Sequence, residues 1–137
     1  MHARETVKVG FVGPLTGGVS AIGVGGRNSA ELAVKQRNED PDRKFDYLFV
    51  SYDDECKPNI GIQVATKLAS DRKVAAAVTH YCSAVALGTV DIYHRFHMPA
   101  VVWGAVHPGI TYGNDFKEIF RTPGTMINQN QVAAKFM

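Results

Sequence analysis

The chain has 137 residues, of which 45% are hydrophobic and 20% are charged, as is ordinary for one soluble globular domain. Its 15 basic and 13 acidic residues give a net charge of +2 without forming a basic block, which argues against nucleic-acid binding. No segment approaches the roughly 20 consecutive apolar residues of a membrane span. The first residues, MHARETVKVGF, lack the apolar stretch of a signal peptide. If the protein is exported, we therefore expect its signal peptide to lie outside this sequence.

Apolar runs and helical spacing predict strands that alternate with helices along the chain. Residues 7–13 (VKVGFVG) are nearly continuous in apolar residues and predict a buried strand, which a glycine-rich loop over 13–26 follows. Residues 27–38 carry Ala30 and Ala33 at helical spacing and predict a helix. The remaining strands are predicted at 45–54, 73–80, 98–104 and 118–122, and the remaining helices at 58–70, 83–96 and 128–137.

This alternation is typical of an α/β fold, a doubly wound parallel sheet built from right-handed βαβ units. Ligands of such sheets bind beyond the carboxyl ends of the strands, a side that we name the carboxyl edge. The polar and glycine-rich segments all fall on this edge. They are 13–26, 52–57, 79–83 and 103–109. The sequence therefore predicts one functional side of the molecule.

Two motifs on the carboxyl edge suggest a bound cofactor, but each has a plainer explanation. Gly23, Gly25 and Gly26 follow a strand and precede a helix, yet their spacing does not fit the dinucleotide pattern G-x-G-x-x-G, and no P-loop lysine is present. The acids of YDDE, residues 52–55, could hold Mg²⁺. No second acid cluster is visible, so we expect them to cap the next loop and helix and to stay in water. We predict neither a cofactor nor a metal.

The chain contains two cysteines, Cys56 and Cys82, each just after a predicted strand. Cys82 could be a catalytic thiol paired with His80, although no third orienting group is evident. A structural metal site is disfavoured because the sequence has no C-x-x-C pair. A disulfide is favoured because both cysteines lie on the carboxyl edge, where their loops could lean across the first strand. A disulfide would indicate an oxidising compartment.

Ser83 stands at the start of the predicted third helix and is expected to be its N-cap. The N-terminus of a helix offers free N–H groups and a positive dipole end, which suit a carboxylate. A serine that only caps its own helix is equally compatible with this position, so the feature by itself leaves the function open.

Taken together, several segments resemble the periplasmic leucine/isoleucine/valine-binding proteins, a branch of the type I solute-binding proteins. The segments are VKVGFVGPLTGGVSAIG, YDDECKP, THYCSA, MPAVVWGAVHPGIT and IFRTPGTMINQNQVAAKFM. The resemblance implies two α/β lobes with a ligand caught between them. Residues 1–137 correspond to the N-terminal lobe, and the C-terminal lobe is absent from this chain. Cys56 and Cys82 match the disulfide-bonded pair of that family.

The resemblance also implies a ligand-binding set. Ser83 would hold the carboxylate of an amino acid, helped by backbone groups of the loop after the fourth strand. These backbone groups belong to Gly104, Ala105 and Val106. Three positions depart from the family, which often has threonine at Val106, tyrosine at Ile22 and proline at Trp103. The departures concern the part of the site around the ligand's side chain, which leaves a larger or aromatic carboxylate as a further candidate ligand.

The expected function is that of an extracytoplasmic, periplasmic component of an ABC transporter, which binds a branched-chain amino acid or related small carboxylate and delivers it to a membrane permease. It would act by lobe closure without chemistry. One alternative is the ligand-sensing domain of an amide-type regulator or receptor with the same fold. Another is an enzyme that uses Cys82 with His80. Without the chain that returns from the second lobe, we expect residues 1–137 alone to self-associate.

Overall fold

A computed structural model describes residues 3–137, and within them it contains five strands, four α-helices and one short 3-10 helix. The strands are β1 (Thr6–Gly13), β2 (Asp46–Asp53), β3 (Val74–Thr79), β4 (Ala100–Val102) and β5 (Ile119–Arg121). The helices are α1 (Ser20–Glu39), α2 (Pro58–Ser70), α3 (Ser83–Arg95) and α4 (Met126–Phe136), and the 3-10 helix is Pro108–Ile110. Across residues 3–137, the helices are all too short or too polar to cross a membrane.

All five strands form one parallel sheet in the order β2-β1-β3-β4-β5. β1 lies between β2 and β3, and it pairs with β2 from Thr6 opposite Asp46 to Gly13 opposite Asp53. Because the strands are parallel, their carboxyl ends meet on one side of the sheet, and the loops that follow them lie there together. The predicted doubly wound parallel sheet is confirmed, including the position of the first strand between the second and third.

The main hydrophobic core lies between one face of the sheet and helices α2 and α3. Two glycines allow the close packing. A Cβ at Gly10 in β1 would lie 2.8 Å from methyl carbons of Leu68 in α2, and one at Gly61 in α2 would lie 2.2 Å from a methyl carbon of Val85 in α3. Helix α2 can therefore approach both β1 and α3 only because these two positions carry no side chain.

The opposite face of the sheet is covered less completely. Helix α1 packs over β1 and β2 on this face, where Ala33 and Val34 of the helix line the same cavity as Val9 of β1. Over β4 and β5 the face carries Val101 and Phe120, and the Phe120 side chain is 53% exposed. Helix α4 buries none of its residues. Within residues 3–137, apolar surface therefore stays open on the α1 side of the sheet.

Helix α1 begins at Ser20, seven positions before the predicted start at 27, so the prediction of a glycine-rich loop over 13–26 is wrong for its second half. The glycines at 23, 25 and 26 are inside the helix. A Cβ at Gly23 would lie 1.8 Å from the carbonyl oxygen of Pro14, so the helix start can rest on the end of β1 only with glycine there. This tertiary contact overrides the poor helix propensity of glycine. Helix α4 likewise begins earlier than predicted, after Thr125, which caps it.

Candidate ligand-binding edge

A disulfide joins Cys56 and Cys82, as predicted, and their Cα atoms are 5.5 Å apart. The loops after β2 and β3 lean towards each other across the end of β1 to make this contact. Within residues 3–137 no cysteine is free. The hypothesis that Cys82 acts as a nucleophile is therefore wrong for this structure, because its sulfur is already bonded.

The acids after β2 serve the fold. Asp53 accepts hydrogen bonds from the backbone N–H groups of Leu15 and Glu55, each at 2.8 Å, and from the Thr16 hydroxyl. Burial opposes ionisation of Asp53, but these hydrogen bonds outweigh it and lower its pKa below the usual value. Asp54 was expected to stay in water and is instead completely buried. In the part of the chain that the structure describes, no group of acids, histidines and cysteines could hold a metal ion.

His80 is also completely buried, and it contacts Asp54 rather than a thiol. Its Nδ1 lies 2.9 Å from Asp54 Oδ2, and its Nε2 lies 2.9 Å from the Tyr93 hydroxyl. Reasoning from the sequence missed both partners. A signal was present, since Asp54 precedes Cys56 by two positions and His80 precedes Cys82 by two, so a pair formed by the cysteines brings the other two residues together.

Ser83 is the first residue of α3, and the N-cap is Cys82, so the prediction that Ser83 caps the helix is wrong. The Ser83 hydroxyl oxygen instead accepts hydrogen bonds from the backbone N–H groups of Val106, at 3.2 Å, and His107, at 3.3 Å. Neither bond uses the hydroxyl's own proton, and among residues 3–137 this proton has no acceptor within hydrogen-bond distance. Among the described residues, the N–H groups of Ser83 and Ala84 have no acceptor either, as expected at a helix N-terminus.

The loop after β4 lies beside Ser83. The N–H of Ala105 donates to the His80 carbonyl oxygen at 3.3 Å, and the Val106 N–H donates to Ser83, so both are paired inside the lobe. The N–H of Gly104 has no acceptor among residues 3–137. A Cβ at Gly104 would lie 2.5 Å from a ring carbon of Tyr81, so glycine is required for the loop to pass under this ring.

Trp103 lies across the end of β1. Its indole N–H donates to the Val12 carbonyl oxygen at 3.2 Å, and its ring centroid is 5.6 Å from that of Phe11 and 5.4 Å from that of Tyr81. The ring also reaches α1, where a Cβ at Gly26 would come within 2.9 Å of it. Aromatic surface therefore runs from the α1 side of the sheet to the loop beside Ser83.

Ile22 lies in the first turn of α1, and its side chain is 45% exposed. It precedes Gly26 by four positions, which places it on the same side of the helix as the contact with Trp103. The residues of the predicted ligand-binding set thus all lie on the carboxyl edge, divided between the α1 side (Ile22 and Trp103) and the α3 side (Ser83 and the loop after β4).

The parallel sheet and the disulfide between two loops at its carboxyl edge place the chain in the class of doubly wound α/β proteins. The family model described as periplasmic binding protein matches residues 6–137, and the chain belongs to this family. It is 35% identical over 136 residues to the leucine-, isoleucine-, valine-, threonine- and alanine-binding protein of Pseudomonas aeruginosa, an alignment that covers 98% of this chain and 36% of that protein. The chain thus spans about a third of the length of the curated relatives it matches.

Solved structures share the fold. The branched-chain amino acid transporter substrate binding protein LivJ from Streptococcus pneumoniae, in complex with isoleucine, superposes with a TM-score of 0.80 at 24% identity, covering 88% of this chain and 34% of that one. A solute binding protein of an ABC transporter from R. palustris, in complex with benzoate, gives a TM-score of 0.78 at 27% identity, covering 88% and 33%. The resemblance to leucine/isoleucine/valine-binding proteins is confirmed. All three are named as binding proteins, which agrees with the expectation that this chain is not an enzyme.

Proposed function

We propose that this chain is the N-terminal lobe of an extracytoplasmic solute-binding protein that serves an ABC transporter, and that its carboxyl edge holds the carboxylate of a small ligand. The observation that carries this proposal is the environment of Ser83, whose hydroxyl proton is free while its oxygen is fixed by two backbone N–H groups. The unpaired N–H groups of Ser83 and Ala84, at the start of α3, lie beside that hydroxyl.

These groups suit a carboxylate for physical reasons. The partial positive charge at the N-terminus of α3 favours an anion, and N–H groups without an internal acceptor can donate to it. The Gly104 N–H is a further free donor on the neighbouring loop. Since the loop after β4 is bonded to Ser83, the donors on helix and loop are held in one arrangement before a ligand arrives, which lowers the entropic cost of binding.

We further propose that residues 1–137 form one lobe and that a second lobe closes over the ligand. The chain matches about a third of the length of its relatives, and Phe120 and the apolar side chains of α4 expose surface that a longer chain could cover. Residues 1–137 alone should therefore self-associate. Light scattering tests this expectation, and a clean monomer at high concentration would count against it.

For the ligand we propose an amino acid of the branched-chain type or a related small carboxylate. The P. aeruginosa relative supports an aliphatic amino acid through the ligands in its name. An aromatic carboxylate is the second candidate, because Trp103 and Tyr81 form a paired aromatic surface at 5.4 Å and the R. palustris neighbour holds benzoate. Both candidates present a carboxylate to Ser83, and they differ in the group that would lie towards Ile22 and Trp103.

The proposed location is the periplasm, with a membrane permease as the transport partner. The Cys56–Cys82 disulfide supports export, because disulfides persist in oxidising compartments and are rare in the reducing cytosol.

The test is calorimetry on the full-length protein with leucine, isoleucine, valine and benzoate, each compared with its amide. We expect saturable binding of at least one acid and much weaker binding of its amide, because an amide removes the charge that the helix start favours. Equal affinity for acid and amide would contradict the carboxylate site. If none of the four acids binds, the proposed ligand class is contradicted.

A further inference from the structure

The buried side chain and backbone of His80 link four parts of the carboxyl edge. Its N–H donates to the Val12 carbonyl oxygen of β1 at 3.2 Å, and its carbonyl oxygen accepts from the Ala105 N–H of the loop after β4 at 3.3 Å. Its ring contacts Asp54, in the loop after β2, and Tyr93 on α3, each at 2.9 Å. The anion-binding groups proposed above lie on two of these parts, the α3 start and the loop after β4.

The hydrogen bonds of this cluster are all satisfied in one arrangement of protons. Burial raises the pKa of Tyr93 above its usual value, and the charge of Asp54 adds to this effect, so the phenol keeps its proton. Among residues 3–137, His80 Nε2 is the one acceptor within reach of that hydroxyl. The imidazole proton then lies on Nδ1 and is donated to Asp54 Oδ2, while Asp54 Oδ1 accepts from the Cys56 N–H at 2.9 Å. Removing one member leaves buried polar atoms without partners.

The hydrogen bond between Asp54 and His80 duplicates the connection that the disulfide makes. Asp54 and His80 are 26 positions apart, as are Cys56 and Cys82, so the two links join the same two loops. The backbone of these two loops is strained, with positive φ values at Glu55 (49°), Cys56 (58°) and His80 (45°). Such conformations cost free energy for residues with a side chain and persist where the surroundings fix them. The hydrogen-bonded link is therefore a second constraint on the loops beside the covalent one.

The second constraint bears directly on Ser83. His80 accepts the Ala105 N–H, and the next N–H along the loop, that of Val106, donates to the Ser83 hydroxyl. Three residues after His80 the chain reaches Ser83 itself at the start of α3, and Tyr93 on the same helix contacts the His80 ring. A shift of His80 would therefore move both partners of one hydrogen bond, the Ser83 hydroxyl and the Val106 N–H that donates to it.

We propose that His80 is a positioning residue for the carboxylate site, and that it acts through Asp54 and Tyr93 without touching the ligand. This inference rests on the proposed function, and it adds the group that holds the site in shape. Reasoning from sequence considered only Cys82 as a partner for His80 and disfavoured that pair, so this role follows from the buried hydrogen bonds alone.

The test compares His80→Ala and His80→Asn in the full-length protein. Alanine removes both ring contacts, whereas the asparagine amide nitrogen can replace Nδ1 as donor to Asp54, and asparagine tolerates a positive φ. The first measurement is the ratio of the Kd for L-leucinamide to that for L-leucine. We expect His80→Ala to lower this ratio about tenfold, the scale of one hydrogen bond to a charged group. His80→Asn keeps the contact with Asp54 but not the one with Tyr93, so it should restore the ratio in part.

The second measurement needs no ligand and is the hydrogen-exchange rate of the Val106 and His107 N–H groups, which donate to Ser83. His80→Ala should accelerate their exchange. The control is Leu68→Ala, a core cavity near the far end of α2, which should lower the melting temperature and leave both the ratio and these exchange rates unchanged. If His80→Ala fails to fold, Tyr93→Phe removes one ring contact at constant shape and should change both readouts in the same direction.

The outcomes separate the two proposals. If wild type prefers one of the other acids to leucine, the ratio is measured with that acid and its amide. Wild-type protein that prefers none of the four acids over its amide contradicts the proposed function, and the exchange rates then decide the role of His80 by themselves. Wild-type protein with that preference, together with His80→Ala and Tyr93→Phe variants that keep both the ratio and the exchange rates, would overturn the role of His80.

Discussion

Two histidine–carboxylate clusters lie at opposite edges of the sheet, and they differ in burial. At the carboxyl edge, the His80 and Asp54 side chains are almost wholly enclosed. At the opposite edge, where the strands begin, His94 and His97 contact the two carboxylate oxygens of Glu118 at 2.9 and 3.2 Å, and the exposed fractions are 40% and 80% for the histidines and 17% for Glu118. The same residue types thus occur in an enclosed and in a solvated setting.

Burial decides what each cluster contributes. A charge without its partner in the interior costs several kcal/mol, so an enclosed pair constrains the structure around it even when forming it yields little. A solvated pair is screened by water and salt, and each side chain can find other partners. We therefore expect the His80 cluster to be needed for the shape of the carboxyl edge and the Glu118 cluster to adjust stability slightly.

The largest effect is expected from Asp54→Ala. The variant leaves the buried His80 ring N–H and the Cys56 N–H without their acceptor, and at about 1–3 kcal/mol for each unpaired buried donor the free energy of unfolding should fall by roughly 2–6 kcal/mol. Urea denaturation of the full-length protein measures this loss, with Glu118→Ala as the matched carboxylate. Similar losses for the two variants would show that burial does not separate the clusters.

Reducing the disulfide should have the next largest effect. The bond closes a loop between Cys56 and Cys82, and in the chain-entropy model such a loop contributes roughly 3 kcal/mol. Calorimetry with and without reductant should show the melting temperature fall by about 5–15 °C. The Cys56→Ala/Cys82→Ala double variant should not respond to reductant. An unchanged melting curve of the wild-type protein would mean that the Asp54–His80 link holds the loops by itself.

Ser83→Ala should affect binding more than folding. Loss of the hydroxyl should weaken binding of the preferred carboxylate by roughly 1.5–3 kcal/mol, the scale of a hydrogen bond to a charged group. Calorimetry measures the change, with whichever of leucine, isoleucine, valine and benzoate the wild-type protein binds most tightly. Ser70→Ala, at the far end of α2 from the carboxyl edge, is the control and should bind as the wild type does. Equal affinity of the Ser83 variant would remove this residue from the site.

The sequence allowed the order of elements, the parallel sheet and the disulfide to be predicted, because each depends on local periodicity and on the fixed geometry of βαβ units. The start of α1 was missed because three glycines have poor helix propensity, and the contact of Gly23 with Pro14 that requires one of them is tertiary. Local composition cannot reveal such a contact.

The candidate site was less accessible to prediction. Ser83 was placed at the helix start, but its actual partners, Val106 and His107, lie 23 and 24 positions away in the chain. Asp54 was expected in water because acids usually are, and only the pairing of two loops encloses it. The sequence was enough to locate Ser83 and Asp54 in the loops of the carboxyl edge. Their hydrogen bonds to distant segments could be found only from the folded structure.

The smallest effect is expected at the solvated cluster, and it depends on pH. Hydrogen bonds from His94 and then His97 lower the pKa of Glu118 from 4.5 to about 2. Between these values the unfolded state binds more protons than the folded state, so stability rises with pH across this range. The contribution of Glu118 is complete above about pH 4.5 and is lost as the pH falls towards about 2.

Urea denaturation of wild type and Glu118→Gln at about pH 5 and about pH 3 tests this dependence. The difference in unfolding free energy between the two proteins should shrink at the lower pH, because the wild-type carboxylate loses its advantage there. Asp115→Asn, which removes an exposed acid three positions earlier in the same loop, controls for the loss of one negative charge. A difference that stays constant with pH would show that His94 and His97 do not stabilise the Glu118 carboxylate. In that case only the buried cluster would contribute to stability.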